Sequence, residues 1–261
     1  MKKLFAIFVL SLVLVLALSS CSNIRVCNSI DMGYLYILEK DGETYIKSQY
    51  SNVYSIDLEN KTFALVDDSE TKTSWFEQED PNAFEFSMFA GEYGYTVPTG
   101  YECVLSYIEE YELDNDSSVV DACGYLKDGF LFGFVRVYKD TRGVYGNYSI
   151  EEIDHSLVFT YNPETDKFTV EYKLDNVVIV AVFEDTVIYW KDKAYYKYNL
   201  KTQQETYLID DKAYDSGLNQ LSTAGVYFNS EFCIIHMKSK DTNYMYAYDR
   251  SNGNFFELTR K

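Results

Sequence analysis

Alternating and continuous hydrophobic segments mark most of this chain as β-strand. Residues 168–174 alternate strictly between apolar and polar positions, which predicts a half-exposed outer strand. Residues 177–183 are seven consecutive apolar residues, five of them β-branched, and this run predicts a strand buried on both faces. Residues 130–135 and 232–235 repeat the second pattern. The hydrophobic pattern therefore predicts an all-β fold with buried inner strands and half-exposed outer strands.

One local pattern recurs four times between strand-like segments. An apolar or tyrosine residue is followed by Asn or Asp, then by a polar connection, and then by a return to strand-like residues. The four copies lie at residues 56–63, 161–168, 198–205 and 248–255. An Asn or Asp side chain can accept a hydrogen bond from the backbone two residues on and so start a chain reversal. Each copy therefore predicts a β-hairpin.

The spacing of these hairpins predicts a repeated architecture. Their Asn or Asp residues are 105, 37 and 50 positions apart, and a degenerate copy near residues 111–116 fits the long interval. Repeats of this length are typical of β-propellers, whose blades are four-stranded antiparallel meanders. We predict about five blades, within a range of four to six, and a β-sandwich is the alternative fold. A capping box at Ser149 and Glu152 predicts a short helical turn before a strand at Ser156.

The segment Tyr189 Trp190 Lys191 Asp192 resembles the YWTD repeat of six-bladed propellers, with Lys in place of Thr. Residues 194–200 are similar to the strand and turn that follow the motif in those proteins. The resemblance implies a scaffold or a module that binds proteins or small ligands on one end.

The first residues have the features of an export signal. Two lysines precede residues 4–18, which are apolar except for Ser11, and fifteen residues are fewer than the roughly twenty that span a membrane. Residues 18–21, Leu-Ser-Ser-Cys, resemble the lipobox of bacterial lipoproteins. The resemblance implies cleavage before Cys21 and lipidation of its thiol; the alternative is an ordinary secretory signal that contains a cysteine. We therefore predict a signal peptide over residues 1–20, a lipidated tether over 21–30 and a single domain over 31–261, outside the cytoplasm at a cell membrane.

Net charge excludes one class of partner. Residues 1–20 hold two lysines and no acid, so the remainder carries 21 basic and 41 acidic residues, a net charge of −20. Nucleic-acid binding depends on clustered Lys and Arg, so nucleic acid is excluded as a partner. The same charge repels anionic lipid headgroups, so contact with the membrane should come from the lipid anchor. With 47% hydrophobic residues, the chain can still bury a large core.

Lipidation of Cys21 leaves Cys27, Cys103, Cys123 and Cys233, and these four cysteines allow three disulfide connectivities, among which the sequence does not choose. A bridge between Cys103 and Cys123 would close a loop of about twenty residues and stabilise the fold by roughly 3 kcal/mol. Buried thiols are the alternative for this pair. No two cysteines have the close spacing of a zinc site.

Candidate catalytic residues are few. A catalytic triad needs a histidine base, and the only two histidines, His155 and His236, lie in or beside strand-like segments and are interpreted as structural. Residues 114–117, Asp-Asn-Asp-Ser, offer oxygen ligands for calcium but lack the glycine and distal glutamate of a known loop, so we interpret them as a solvated acidic turn. The 26 tyrosines could stack on sugars, but tyrosine also favours strands, and we interpret most as structural.

The leading functional prediction is a membrane-anchored extracytoplasmic module that binds a protein or carbohydrate ligand or acts as a scaffold. It assigns no catalytic residue, cofactor or metal. The alternative is a secreted glycan hydrolase with acid and base carboxylates on inner strands, a chemistry that depends on two carboxyl groups on either side of a glycosidic bond.

Overall fold

The computed structural model describes residues 30–32, 37–40, 42–47, 52–66, 83–89, 92–96, 101, 103–112, 119–138, 153–212, 223–239 and 242–261 of the chain. These residues form nineteen β-strands and one α-helix, so the predicted all-β class is confirmed. The strands are rich in Val, Ile, Tyr and Phe, whose branched or aromatic side chains pack well on a pleated surface.

Sixteen of the strands form four antiparallel meanders of four strands each. The first meander contains β2 (Ile37–Lys40), β3 (Glu43–Lys47), β4 (Val53–Asp57) and β5 (Thr62–Leu65). The second contains β8 (Val119–Lys127), β9 (Phe130–Tyr138), β10 (Ile153–Asn162) and β11 (Lys167–Asp175). The third contains β12 (Val178–Val182), β13 (Thr186–Lys191), β14 (Ala194–Asn199) and β15 (Gln204–Asp210). The fourth contains β16 (Thr223–Phe228), β17 (Phe232–Ser239), β18 (Thr242–Asp249) and β19 (Asn254–Arg260).

The remaining elements extend or cover these meanders. Strand β1 (Ile30–Met32) pairs parallel to β16, and the hairpin β6 (Ala83–Phe89) and β7 (Glu92–Thr96) pairs with β8. A short parallel pairing joins β19 to β5, so the first and fourth meanders share one nine-stranded sheet. Helix α1 (Cys103–Glu112) packs Val104 and Ile108 onto the second meander.

All four predicted hairpins are confirmed, as β4–β5, β10–β11, β14–β15 and β18–β19. In each turn the Asn or Asp side chain accepts a hydrogen bond from a backbone N–H two or three residues on, as the sequence predicted. Asp57 accepts from Asn60 at 2.9 Å, Asn162 from Glu164 at 2.9 Å, Asn199 from Lys201 at 3.0 Å and Asp249 from Ser251 at 2.8 Å.

The predicted inner and outer strands have the expected burial. All five residues of β12 are buried, and β12 lies against β9 and β10 of the second meander and β16 of the fourth. Strand β11 is half-exposed and lies at a sheet edge. The runs at 130–135 and 232–235 lie in β9 and β17, which are the second strands of their meanders rather than the innermost ones.

The described residues form four four-stranded meanders, distributed over three sheets. The predicted degenerate hairpin near 111–116 is wrong at its start, because residues 111 and 112 end helix α1; residues 113–116 lie outside the described part. The capping box at Ser149 and Glu152 also lies outside it. Strand β10 begins at Ile153, three residues before the predicted Ser156.

The possible bridge between Cys103 and Cys123 is not formed, and both residues are thiols, of which only Cys123 is buried. Cys103 is exposed at the start of α1, where its Sγ lies 2.8 Å from the hydroxyl of Tyr161. Cys123 is buried in β8, paired with Phe134 of β9. The cause is that Cys123 points away from α1: it packs in the core cluster with β12 and β13, whereas α1 packs on the cluster that contains Ala122, on the other face of β8.

Candidate ligand-binding cleft

A cleft of about 930 Å³ opens where the turns of three meanders meet. We call this side of the molecule the turn end and the other side the opposite end. The lining comes from the turns after β4, β12, β14, β16 and β18, together with the adjoining strand ends. The residues are Leu58, Asp185, Thr186, Lys197, Asn199, Thr202, Gln204, Thr206, Ser230, Glu231, Phe232, Tyr248, Asp249, Arg250, Ser251 and Gly253.

One wall of the cleft is the β14–β15 turn of the third meander. The Asn199 side chain accepts hydrogen bonds from the backbone N–H groups of Lys201 and Thr202 and from the Thr202 hydroxyl, at 2.8 to 3.1 Å. The Leu200 N–H donates to the backbone carbonyl of Asp185 at 2.8 Å, which joins this turn to the β12–β13 turn. This wall is therefore held by its own hydrogen bonds before any ligand arrives.

The facing wall is built from two turns of the fourth meander. Asp249 accepts hydrogen bonds from the backbone and hydroxyl of Ser251, at 2.8 and 2.6 Å. Asn229 organises the β16–β17 turn in the same way, accepting from the N–H groups of Glu231 and Phe232 at 2.8 and 3.0 Å. The Arg250 N–H donates to the carbonyl of Glu231 at 2.9 Å, so the two turns are joined.

Glu184 ties the cleft to the second meander. Its carboxylate accepts from Lys127 Nζ at 2.5 Å and from an Arg250 Nη at 2.7 Å, so it links the β8–β9, β12–β13 and β18–β19 turns. The hydrogen bond from Lys127 and the charge of Arg250 hold the pKa of Glu184 below its ordinary value. The carboxylate is therefore held ionised at neutral pH and keeps the three turns together.

Aromatic side chains form the floor of the cleft but do not present open faces to it. Tyr248 and Phe232 are each 4% exposed, and Phe183 packs on Tyr248 with ring centroids 5.3 Å apart. Lys197 Nζ lies 5.4 Å from the Tyr248 ring and donates to the Gly253 carbonyl at 3.3 Å. Burial raises the pKa of Tyr248, so the floor stays uncharged.

Some polar side chains of the lining are not used by the fold. Gln204, Thr206 and Glu231 are exposed, and their side chains make no hydrogen bond to another residue in the described part of the chain. Amide and hydroxyl groups can both donate and accept hydrogen bonds, and an ionised carboxylate accepts them. They are therefore available to a polar ligand. Within the described ranges, no group of three or more His, Cys, Asp or Glu side chains could hold a metal ion.

No known family model matches this chain. No curated protein sequence matches it either. Among solved structures it is similar to the crystal structure of TolB from Acinetobacter baumannii, with a TM-score of 0.31 and 10% sequence identity. The alignment covers 85% of this chain and 56% of that one, so the chain spans a little over half the length of the TolB chain.

The residues singled out from the sequence lie elsewhere. His155 is buried in β10, with Nδ1 2.8 Å from an Asp154 carboxylate oxygen. His236 is buried in β17, with Nε2 3.0 Å from Asn243 Oδ1, and burial lowers its pKa. Neither histidine lines the cleft.

Two other sequence predictions fall outside the described residues. These are the lipidation site Cys21 and the acidic segment 114–117. No helix in the described ranges is both long and apolar enough to span a membrane.

Sequence reasoning found the turns of the cleft but not the cleft itself. Asp249 and Asn199 were predicted as turn residues, yet nothing local indicates that their turns face each other. Asn229 was missed, although Asn229 Ser230 between two apolar runs is a turn signal of the same kind. Glu184 and Arg250 carry no local signal, because they pair across 66 residues of sequence.

Proposed function

We propose that this protein is a membrane-anchored extracytoplasmic lipoprotein whose β-propeller-like domain binds a polar ligand in the cleft at its turn end. The observation that carries the proposal is the cleft itself, a 930 Å³ concavity lined by turns of three meanders. Ligand sites are typically preformed concavities of about 300–1,000 Å³ with a few polar groups that fix orientation. The capped turns and the Glu184 links supply that preformed shape.

The lining favours a ligand rich in hydroxyl or amide groups, which describes an oligosaccharide or a polar protein segment. Thr206, Gln204 and Glu231 offer hydrogen bonds that the fold does not use. The cations are already engaged, since Arg250 donates to Glu184 and Lys197 to the Gly253 carbonyl. An anionic ligand would therefore have to displace an existing contact.

A ligand screen by thermal unfolding tests the binding proposal. The full-length protein in detergent is scanned against oligosaccharides, cell-wall fragments and peptides. A ligand at a hundred times its Kd stabilises the folded state by about 2.7 kcal/mol, which raises the melting temperature. The double variant Gln204→Ala, Thr206→Ala should abolish that rise while unfolding at the wild-type temperature without ligand. A rise that survives in the variant would place the ligand outside the cleft.

The anchor has its own test. Replacing Cys21 by Ala should move the protein from the membrane fraction to the soluble fraction of disrupted cells. The matched control is Cys27→Ser, which leaves the lipobox intact and should stay with the membrane. Retention of the Cys21→Ala variant would contradict the lipoprotein proposal.

A second candidate function is hydrolysis of a glycan. It is favoured by one observation, the presence of the carboxylates Asp185, Glu231 and Asp249 in the same cleft. Asp249 is committed to its own turn, so Glu231 is the carboxylate best placed to act as acid or base. New reducing ends from a glycan panel, lost in Glu231→Gln, would support it. Binding without cleavage would leave the binding module as the function.

A further inference from the structure

The direction of strand β1 determines at which end of the domain the N-terminal tether is attached. Strand β1 runs parallel to β16, with Ile30 opposite Ala224 and Met32 opposite Val226. Strand β16 runs towards Phe228, and the turn that follows it lines the cleft. Ile30 therefore lies beside the start of β16, towards the opposite end, and the tether joins the domain there.

The tether is short compared with the domain. Eight residues lie between Cys21 and Ile30, so the nine Cα steps span at most about 30 Å when fully extended. A compact domain of this size has a radius of gyration of about 17 Å, which corresponds to a diameter of about 45 Å. A tether that leaves near one end cannot pass around the domain to bring the other end onto the membrane.

Net charge opposes close contact of the domain with an anionic membrane at either end. The chain after residue 20 carries a net charge of −20, and an anionic membrane surface repels it within about a Debye length, roughly 8 Å. The domain therefore gains nothing electrostatically by lying down on such a surface. Its attachment to the membrane then depends on the proposed lipid on Cys21.

We infer that the protein stands on its membrane by the opposite end, with the cleft opening away from the bilayer. This inference rests on the proposed lipid anchor. The partner that fits is a polar ligand presented from the aqueous or cell-wall side. A headgroup of the anchoring membrane does not fit, because the cleft cannot reach it.

Energy transfer from labelled protein to labelled lipid tests the orientation. Full-length lipidated protein carrying Cys27→Ser and Cys103→Ser is placed in phosphatidylcholine vesicles whose surface contains an acceptor lipid. A donor dye is attached either at Thr202→Cys, in the cleft, or at Thr242→Cys, at the start of β18 and the opposite end. We expect a large loss of donor fluorescence at position 242 and a small loss at 202. Equal losses, or a larger loss at 202, overturn the orientation.

Two controls separate this inference from the anchor on which it rests. A Gly-Ser insertion of twenty residues after residue 29 lets the domain turn over on the membrane. The losses of donor fluorescence at positions 202 and 242 should then become similar. With Cys21→Ala, neither donor should lose fluorescence and the protein should no longer float with the vesicles. Failure of the unaltered protein to float would overturn both proposals, whereas flotation with equal losses would overturn the orientation alone.

Discussion

The four Asn or Asp turns share one backbone geometry at the scale of the single residue. In each, the fourth residue after the Asn or Asp has a positive φ, in the left-handed region that non-glycine residues rarely adopt. The values are 55° at Lys61, 47° at Asp166, 57° at Gln203 and 70° at Gly253. Three of the four turns hold an ordinary residue there, so the capping hydrogen bonds outweigh a local strain.

The glycine in this set gives the first prediction. Gly253→Ala should destabilise the domain by about 1 kcal/mol, because alanine at positive φ is strained although no atom lies within 4 Å of the new Cβ. Gly253→Asn is the matched control, since asparagine tolerates a positive φ and this variant should lose less stability. Urea denaturation measures both. Equal losses for Ala and Asn would show that the backbone conformation is not the cause.

The hydrogen bonds that cap the β4–β5 turn also lower the pKa of Asp57. Hydrogen bonds from the backbone and side chain of Asn60, with a further one from Lys261, lower the pKa of Asp57 to about 2. The β4–β5 turn therefore keeps its ionised cap through mild acid. The same residue ties the C-terminus to the first meander, since Lys261 Nζ lies 3.1 Å from its carboxylate.

A buried ion pair in the second meander gives the second prediction. Arg136 is 4% exposed, and its Nε donates to Asp121 Oδ1 at 2.5 Å while an Nη donates to Oδ2. Asp121→Asn should cost about 3 kcal/mol, because it leaves a buried charge without its partner. Replacing both residues, as Asp121→Leu with Arg136→Met, should recover most of that loss. A double variant no more stable than the single one, by denaturant titration, would contradict this account.

At the scale of the element, prediction from sequence succeeded where the signal was local. The hairpins at Asp57, Asn162, Asn199 and Asp249 were predicted correctly because one side chain starts each turn within a few residues. Helix α1 was missed, since its apolar stripe is short and its first turn lacks an acidic residue. The parallel pairings of β1 with β16 and of β19 with β5 join segments almost two hundred residues apart, and no local pattern specifies them. The cleft depends on the same distant packing, so its lining could not be assembled from sequence.

The hydrogen bonds that Glu184 accepts predict, at this scale, how the stability of the domain depends on pH. The pKa of Glu184 is lowered in the folded state, so its contribution to stability is present above the ordinary value of 4.5 and is lost as the pH falls through the folded pKa. Glu184 is 38% exposed, so the contribution should be no more than about 1 kcal/mol.

Glu184→Gln should therefore lose less stability than the unaltered protein when the pH falls from 6 to 3. Glu231→Gln, an exposed glutamate on a neighbouring turn, is the control and should follow the unaltered protein. The measurement is the free energy of unfolding at each pH. The same slope for both variants would show that the three turns are not held together through this carboxylate.

At the scale of the whole molecule, strand pairing joins meanders that are far apart in sequence. The first and fourth meanders share a sheet, and the third meander places β12 between the second and the fourth. The largest core cluster accordingly draws on residues of the second, third and fourth meanders. The meanders should therefore unfold together rather than one by one.

A single core substitution tests that cooperativity. Ile179 in β12 is 0% exposed, and Ile179→Ala should lower the free energy of unfolding by about 2–5 kcal/mol through lost burial and a cavity. Because β12 contacts two other meanders, far-UV circular dichroism and tryptophan fluorescence should report the same midpoint before and after the change. Leu65→Ala, at a side chain that is 42% exposed, is the control and should change stability by less than about 0.5 kcal/mol. If the two probes separate in Ile179→Ala, the meanders fold independently, and the preformed cleft that their turns build would not be a property of the whole domain.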